Sequence, residues 1–293
     1  MELFVLKFKH FWVDILGFYW PGENLDMPFE HRLVRMRFTR RVLFDFQQLS
    51  KEYQQAYRNQ SGSDIAIVID VDAAKELCAR YRSTPQCRTK YSACVYPPAK
   101  LFSRQLFELA IGSQKVKRVL FLAGGTASGK SSVIAVMGQA SRELVIMDGT
   151  LSDHAVAHNQ VWRCIANGKF ALIVYIYTPI EAAMTRAVDR ALDRGRVVAI
   201  SVFSQTHFKS QVTVRQLREC HADELNFAFR SISGLTRTEL GFETIPQYES
   251  INDVQTQAEE CFERELCRRG EEGSPVPEDI VAAFRKTGRK VGG

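Results

Sequence analysis

Nine consecutive residues have the types and spacing to hold an anion: Gly124, Gly125, Thr126, Ala127, Ser128, Gly129, Lys130, Ser131 and Ser132. Gly, four residues, then Gly-Lys-Ser is the spacing of a phosphate-binding loop. Glycine at 124 and 129 permits backbone angles and a close approach that a Cβ would block. Successive N–H groups then form a concave anion site with a helix N-terminus behind it. Lys130 would reach the β- and γ-phosphate oxygens, and Ser131 would offer its hydroxyl to Mg²⁺. A buried strand must enter such a loop and a helix must leave it. The apolar run at 119–123 and the apolar-periodic segment at 133–137 supply both. The expected ligand is a nucleoside triphosphate, ATP with Mg²⁺. The loop does not specify what receives the phosphate.

Two further groups of residues bear on that question. Asp148 follows Leu144-Val145-Ile146-Met147, an apolar run ending in an acidic residue, Gly149 and Thr150. Phosphate-loop enzymes place an acidic residue near Mg²⁺ at such a strand end. Asp148 can therefore be a metal-shell carboxylate, with Ser131, or a base that takes a proton from a substrate hydroxyl. A helix cap is its structural alternative. Arg190 and Arg196 flank the turn after a helix, a place suited to a lid. Fixed guanidinium groups there would stabilise the charge on a phosphoryl group in transfer. Arg186 and Arg194 read as solvated, and His207 reads as a packed or solvent-facing histidine.

The elements that must position these residues alternate. Helices are expected at 155–167, 180–194 and 204–222, and strands at 144–147, 170–177, 226–233 and 242–245. Strands alternating with helices of this length predict an α/β fold, a parallel sheet with helices on both faces. Ligands then sit at the carboxyl ends of the strands, so Gly124, Asp148 and Thr178 should share one crevice. Ahead of this body lies a mainly helical N-terminal region. It has a helix over 29–58, a short strand over 65–71, a helix capped by Asp72, a proline-containing connector over 80–100 and a helix over 100–111. The chain divides as an N-terminal region (1–114), a phosphate-loop domain (115–250) and a helical extension (251–293), whose last residues, 287–293, should be loose.

Bulk composition narrows the class. The chain has 293 residues, 45% hydrophobic and 25% charged, with a formal net charge of +6. This is ordinary for a globular protein, and the mild positive charge suits an anionic ligand as well as nucleic acid. The basic cluster at His31, Arg32, Arg35, Arg37, Arg40 and Arg41 lacks interleaved exposed aromatics, so a solvated helix face is expected rather than a nucleic-acid patch. Seven cysteines without paired CxxC spacing indicate neither a zinc site nor a disulfide framework, and a reduced cytoplasmic setting is the default. Residues 1–20 are aromatic-rich but carry too many charges for a membrane span.

Taken in order, these pieces resemble the zeta-toxin family of phosphate-loop kinases. The resemblance runs through 120–131, the Asp148-Gly149-Thr150 element, Val174-Tyr175-Ile176-Tyr177-Thr178-Pro179, Arg190, and Gly195-Arg196 with Thr206-His207 beyond. It covers about residues 64–215. It implies a nucleotide-kinase-like α/β core, ATP and Mg²⁺, and a sugar hydroxyl of UDP-N-acetylglucosamine or a related nucleotide sugar as acceptor. An antitoxin or immunity protein is the implied partner. Carried over by position, Lys130 and Ser131 hold phosphates and Mg²⁺, Arg190 and Arg196 clamp the phosphoryl group, and Asp148 contacts substrate or metal.

The sequence departs from the family in one respect. Well-known members have an additional strand between the loop helix and the acidic-Gly-Thr element, and its end carries the proposed general base. Here about ten residues separate the two. Asp148 or Asp153 then serves, or the acceptor differs, or transfer is weak, with Asp70 of the leader a further candidate that no position in the family supports. An ATP-hydrolysing switch and a nucleotide-binding pseudoenzyme are the alternative functions. Gly149, where a motor ATPase would place Glu, favours transfer over hydrolysis.

Overall fold

The computed structural model describes residues 27–61, 66–137, 143–221, 224–233 and 236–286. The expectations for residues 1–20 and for the tail lie outside these residues. The chain opens with helices α1 (Phe29–Phe44) and α2 (Phe46–Ser61), broken at Asp45 where one helix was expected. Strand β1 (Ile67–Asp70), short helices α3 (Val71–Lys75) and α4 (Ala79–Arg82), and long helix α5 (Pro85–Gly112) follow. The body continues with β2 (Arg118–Ala123), α6 (Lys130–Met137), β3 (Leu144–Asp148), α7 (His154–Ala166), β4 (Phe170–Tyr177), α8 (Ile180–Arg194) and α9 (Ile200–Cys220). It ends with β5 (Asn226–Ser233), β6 (Thr236–Leu240), α10 (Ile251–Glu271) and α11 (Glu278–Arg285).

The described strands form one sheet in the order β1-β3-β2-β4-β5-β6. The first five run parallel, and β6 returns antiparallel on β5. The alternation along β2 shows how the sheet is covered on both faces. Val119, Phe121 and Ala123 enter a core with Phe102, Phe107 and Ile111 of α5 and Val161 of α7. Leu120 and Leu122 enter a smaller core on the other face, with Val68, Ile146, Val174 and Val133 and Ile134 of α6. Helices α8, α10, α11 and the first turns of α9 build a third cluster, around Met184, Phe203, Phe262 and Phe284. Among the described residues, no helix is long and apolar enough to cross a membrane.

Three further expectations change. Residues 85–100 are helix, not connector. Thr84 caps this helix by accepting from the Cys87 N–H at 3.1 Å, and Pro85 occupies the first turn, where its missing N–H costs nothing. Pro97 and Pro98 lie inside it, at a cost of about 3 kcal/mol each in an isolated helix. Buried Val95, Pro98, Ala99 and Phe102 hold it continuous by packing on the main core. Asp70, not Asp72, caps α3, accepting from the Asp72 N–H at 2.7 Å. The last strand is β6, and residues 242–244 form a single 3-10 turn instead.

Candidate active site

The phosphate loop leaves β2 at Gly124. Its φ is +134°, and a Cβ there would lie 2.4 Å from the Ile176 carbonyl oxygen. A Cβ on Gly125 would lie 2.2 Å from the His207 ring. Ala127 at φ 60° and Gly129 at φ 91° alternate the backbone handedness, the arrangement that turns successive N–H groups toward one point. Thr178 Oγ1 donates to the Ser128 carbonyl at 2.8 Å, and Thr206 Oγ1 accepts from the Thr126 N–H at 3.1 Å. The ring of His207 bonds the Thr126 carbonyl through Nε2 at 2.9 Å. Burial holds that imidazole down to about 4, so it is neutral and supports the loop by packing. Thr206 and His207 lie in the stretch that the sequence resemblance included, without a role attached.

Lys130 opens α6 and folds over the loop. Its ammonium donates to the carbonyls of Gly124 at 2.9 Å and Gly125 at 2.7 Å. Desolvation lowers its pKa to about 8, against the pull of Asp148. These bonds fix the ammonium against the loop. Ser131 and Ser132 stand exposed at the start of α6. Ser131 Oγ approaches Asp148 Oδ2 at 3.5 Å, the outer limit of a hydrogen bond. The two oxygens suit a hard cation such as Mg²⁺, which takes one or two carboxylate or hydroxyl oxygens plus phosphates and water. Among the described residues no group of three His, Cys, Asp or Glu could hold a metal ion by itself.

The acidic partner missing after α6 appears on the other side of β3. Asp70 and Asp148 are in-register neighbours at the carboxyl ends of β1 and β3. Both continue the face that carries Val68 and Ile146, the face covered by α6. Burial, then the charges of Asp148 and Asp72, push the Asp70 carboxyl up to about 7. Burial also raises Asp148, against Lys130. Two carboxylates this close share their ionisation. One Asp70 oxygen caps α3, which fixes the group and leaves its other oxygen for chemistry.

Arg190, on the last turns of α8, and Arg196, just past them, converge on the same crevice. Arg190 Nη2 lies 3.8 Å from Asp72 Oδ2, and its charge acts on both Lys130 and Asp148. Arg196 acts on Asp70 and Asp72, and its Nη2 lies 3.0 Å from Glu76 Oε1. The structure thus brings Lys130, Ser131, Asp148, Arg190 and Arg196 together, and it adds Asp70, Asp72 and Glu76. The signal for Asp70 is the one used for Asp148, an acidic residue ending an apolar run at 65–69. Asp153 caps α7, accepting from the Val156 N–H at 3.1 Å.

Comparison with known proteins adds a family match over part of the chain. Residues 139–231 match the family model described as Zeta toxin. The match takes in Asp148, Arg190 and Arg196 and begins after the phosphate loop. No curated protein matches the sequence. Similar solved structures include one from the PezAT chromosomal toxin-antitoxin system of Streptococcus pneumoniae, at 10% identity and TM-score 0.40, covering 74% of this chain and 82% of that one. Another is the native AvrRxo1-ORF1:ORF2 complex, at 11% identity and TM-score 0.42, covering 71% and 92%. The same complex with sulphate ions gives 11% identity and TM-score 0.40, covering 63% and 88%.

Proposed function

We propose that this chain, whose residues 139–231 match the zeta-toxin family model, is an ATP-dependent kinase that phosphorylates a hydroxyl of a small molecule, with a nucleotide sugar such as UDP-N-acetylglucosamine as the leading acceptor. The observation that carries the reading is the in-register pair Asp70 and Asp148 at the strand ends beside Lys130. Gly149 stands where an ATP-hydrolysing motor would place a water-activating Glu, which favours transfer over hydrolysis. A base poised near neutral pH is what deprotonation of an acceptor hydroxyl requires.

The roles follow from position. The loop amides from Gly125 to Ser132 and the Lys130 ammonium bind the β- and γ-phosphates. Ser131 and Asp148 would hold Mg²⁺, which when bound neutralises charge on the phosphate oxygens. Asp70 takes the acceptor proton as the new O–P bond forms and the bond from the γ-phosphorus to ADP breaks. Arg190 and Arg196 stabilise the charge on the equatorial oxygens in transit. A protein that fills the crevice would silence it, and the family makes an antitoxin the proposed partner.

The test follows ADP release from ATP and Mg²⁺ with and without UDP-N-acetylglucosamine. Acceptor-dependent ADP supports the kinase. Acceptor-independent turnover supports a hydrolase, and ATP binding without turnover supports a pseudoenzyme. Lys130→Ala is expected to remove turnover by about 10²-fold or more while leaving the circular dichroism spectrum unchanged. Wild-type rates in that variant would refute the phosphate role.

A further inference from the structure

Arg196 does not stand alone on its turn. Glu76, just past the end of α3, accepts from Arg196 Nη2 at 3.0 Å through Oε1. The same carboxylate takes a forked grip from Arg88 of α5, with Nε at 3.0 Å from Oε1 and Nη2 at 3.1 Å from Oε2. All three side chains are mostly buried, at 20% exposure for Arg196 and 24% for Glu76 and Arg88. The backbone beside Arg196 is fixed from the same quarter. Thr89 Oγ1 donates to the Gly195 carbonyl at 2.9 Å, and the Gly195 Cα packs so tightly on Pro85 that a Cβ would lie 2.1 Å from the Pro85 carbonyl oxygen.

We propose that Glu76, locked by Arg88, is the positioning residue that aims Arg196 at the γ-phosphate. The proposal rests on the reading of Arg196 as a phosphoryl clamp. A guanidinium presents several N–H donors in a rigid fork, so holding one edge orients the rest. Glu76 holds one nitrogen of Arg196, and among the described residues no other hydrogen bond engages that guanidinium. The remaining donors are left to the crevice, where the Asp70 and Asp72 carboxylates feel the same charge. Arg88 keeps Glu76 fixed, so the aim is set by α3 and α5, ahead of the phosphate loop in sequence.

The experiment compares ATP and ADP affinities by titration calorimetry, and steady-state turnover, for the full chain and for Glu76→Gln, Glu76→Asp, Arg196→Ala and the double variant Glu76→Gln/Arg196→Ala. A clamp on the γ-phosphate makes the wild type prefer ATP over ADP. Glu76→Gln is expected to lose most of that preference and about 10–100-fold in kcat, with ADP affinity unchanged. Glu76→Asp should recover part of both. In the double variant the loss should match Arg196→Ala alone, because the two residues act as one unit. Full ATP preference with wild-type kcat in Glu76→Gln would overturn the proposal. So would tighter ATP binding or faster turnover, which would mean that the carboxylate competes with phosphate for Arg196. A wild type that binds ATP no better than ADP would instead sink the clamp reading on which the proposal depends. Gln fills the volume of Glu, so Glu76→Gln leaves no cavity at the turn, as Glu76→Ala would.

Discussion

Asp70 carries two consequences of opposite sign. As a base it must be ionised, and its carboxyl is held up to about 7, so kcat/KM should fall as pH drops below about 7. Lys130 must stay protonated, and it is held down to about 8, so kcat/KM should fall again above about 8. Bound phosphates favour the ammonium, so the alkaline limb of kcat should lie higher than that of kcat/KM. A pH–rate profile checks both limbs. Asp70→Asn should cost about 10²–10⁴ in rate. For stability, the folded state holds the Asp70 proton more tightly than the unfolded chain, whose aspartates titrate near 3.9. The folded state thus loses stability as pH rises from about 4 through about 7. Asn keeps the acceptor that caps α3, so Asp70→Asn should melt higher than wild type at pH 8 and show no such gain at pH 4. A thermal melt that shows no gain at pH 8 would contradict the burial of that charge. Much of this site was legible in the sequence, because Gly124 to Ser132 and Asp148 announce themselves by local spacing. Asp70 was only a bare candidate, because pairing with Asp148 depends on a strand that precedes the loop. Glu76 was not legible at all, since nothing local relates it to Arg196.

At the scale of elements, the turn after α8 is one of the places where the body of the fold packs on the helices ahead of residue 115. Gly195 ends α8 in the left-handed region at φ 66°, with its Cα against Pro85 at the start of α5. Gly195→Ala is therefore expected to destabilise by about 1–3 kcal/mol and to lower ATP turnover more than ADP affinity. Denaturant unfolding and the two titrations measure the split. The helices after residue 150 followed from period and caps, since α7 and α8 carry clean signals and lie in the body of the fold. α5 did not, because Pro97 and Pro98 read locally as breakers and only tertiary packing overrides them. β6 was missed because Thr-Arg-Thr-Glu-Leu offers no apolar alternation, as befits an edge strand.

For the molecule as a whole, β1 joins the sheet from ahead of residue 115, and α5 covers its larger core with Phe102, Phe107 and Ile111. A chain starting at residue 115 would expose the core face of Val119, Phe121 and Ile173. It is expected to be insoluble or to lack a cooperative melt, and supplying residues 27–114 as a separate polypeptide should restore solubility. Sedimentation of the two pieces apart and together checks this. The order of strands in space also differs from their order of synthesis. β1 leaves the ribosome before β2, yet its sheet neighbour is β3, which is made later still. A half-made chain can thus already own the loop that grips a nucleotide while Asp70 waits without Asp148 beside it. The proposed carboxylate pair closes only when the third strand slides between the first two, and Arg190 and Arg196 arrive later still, beyond β4.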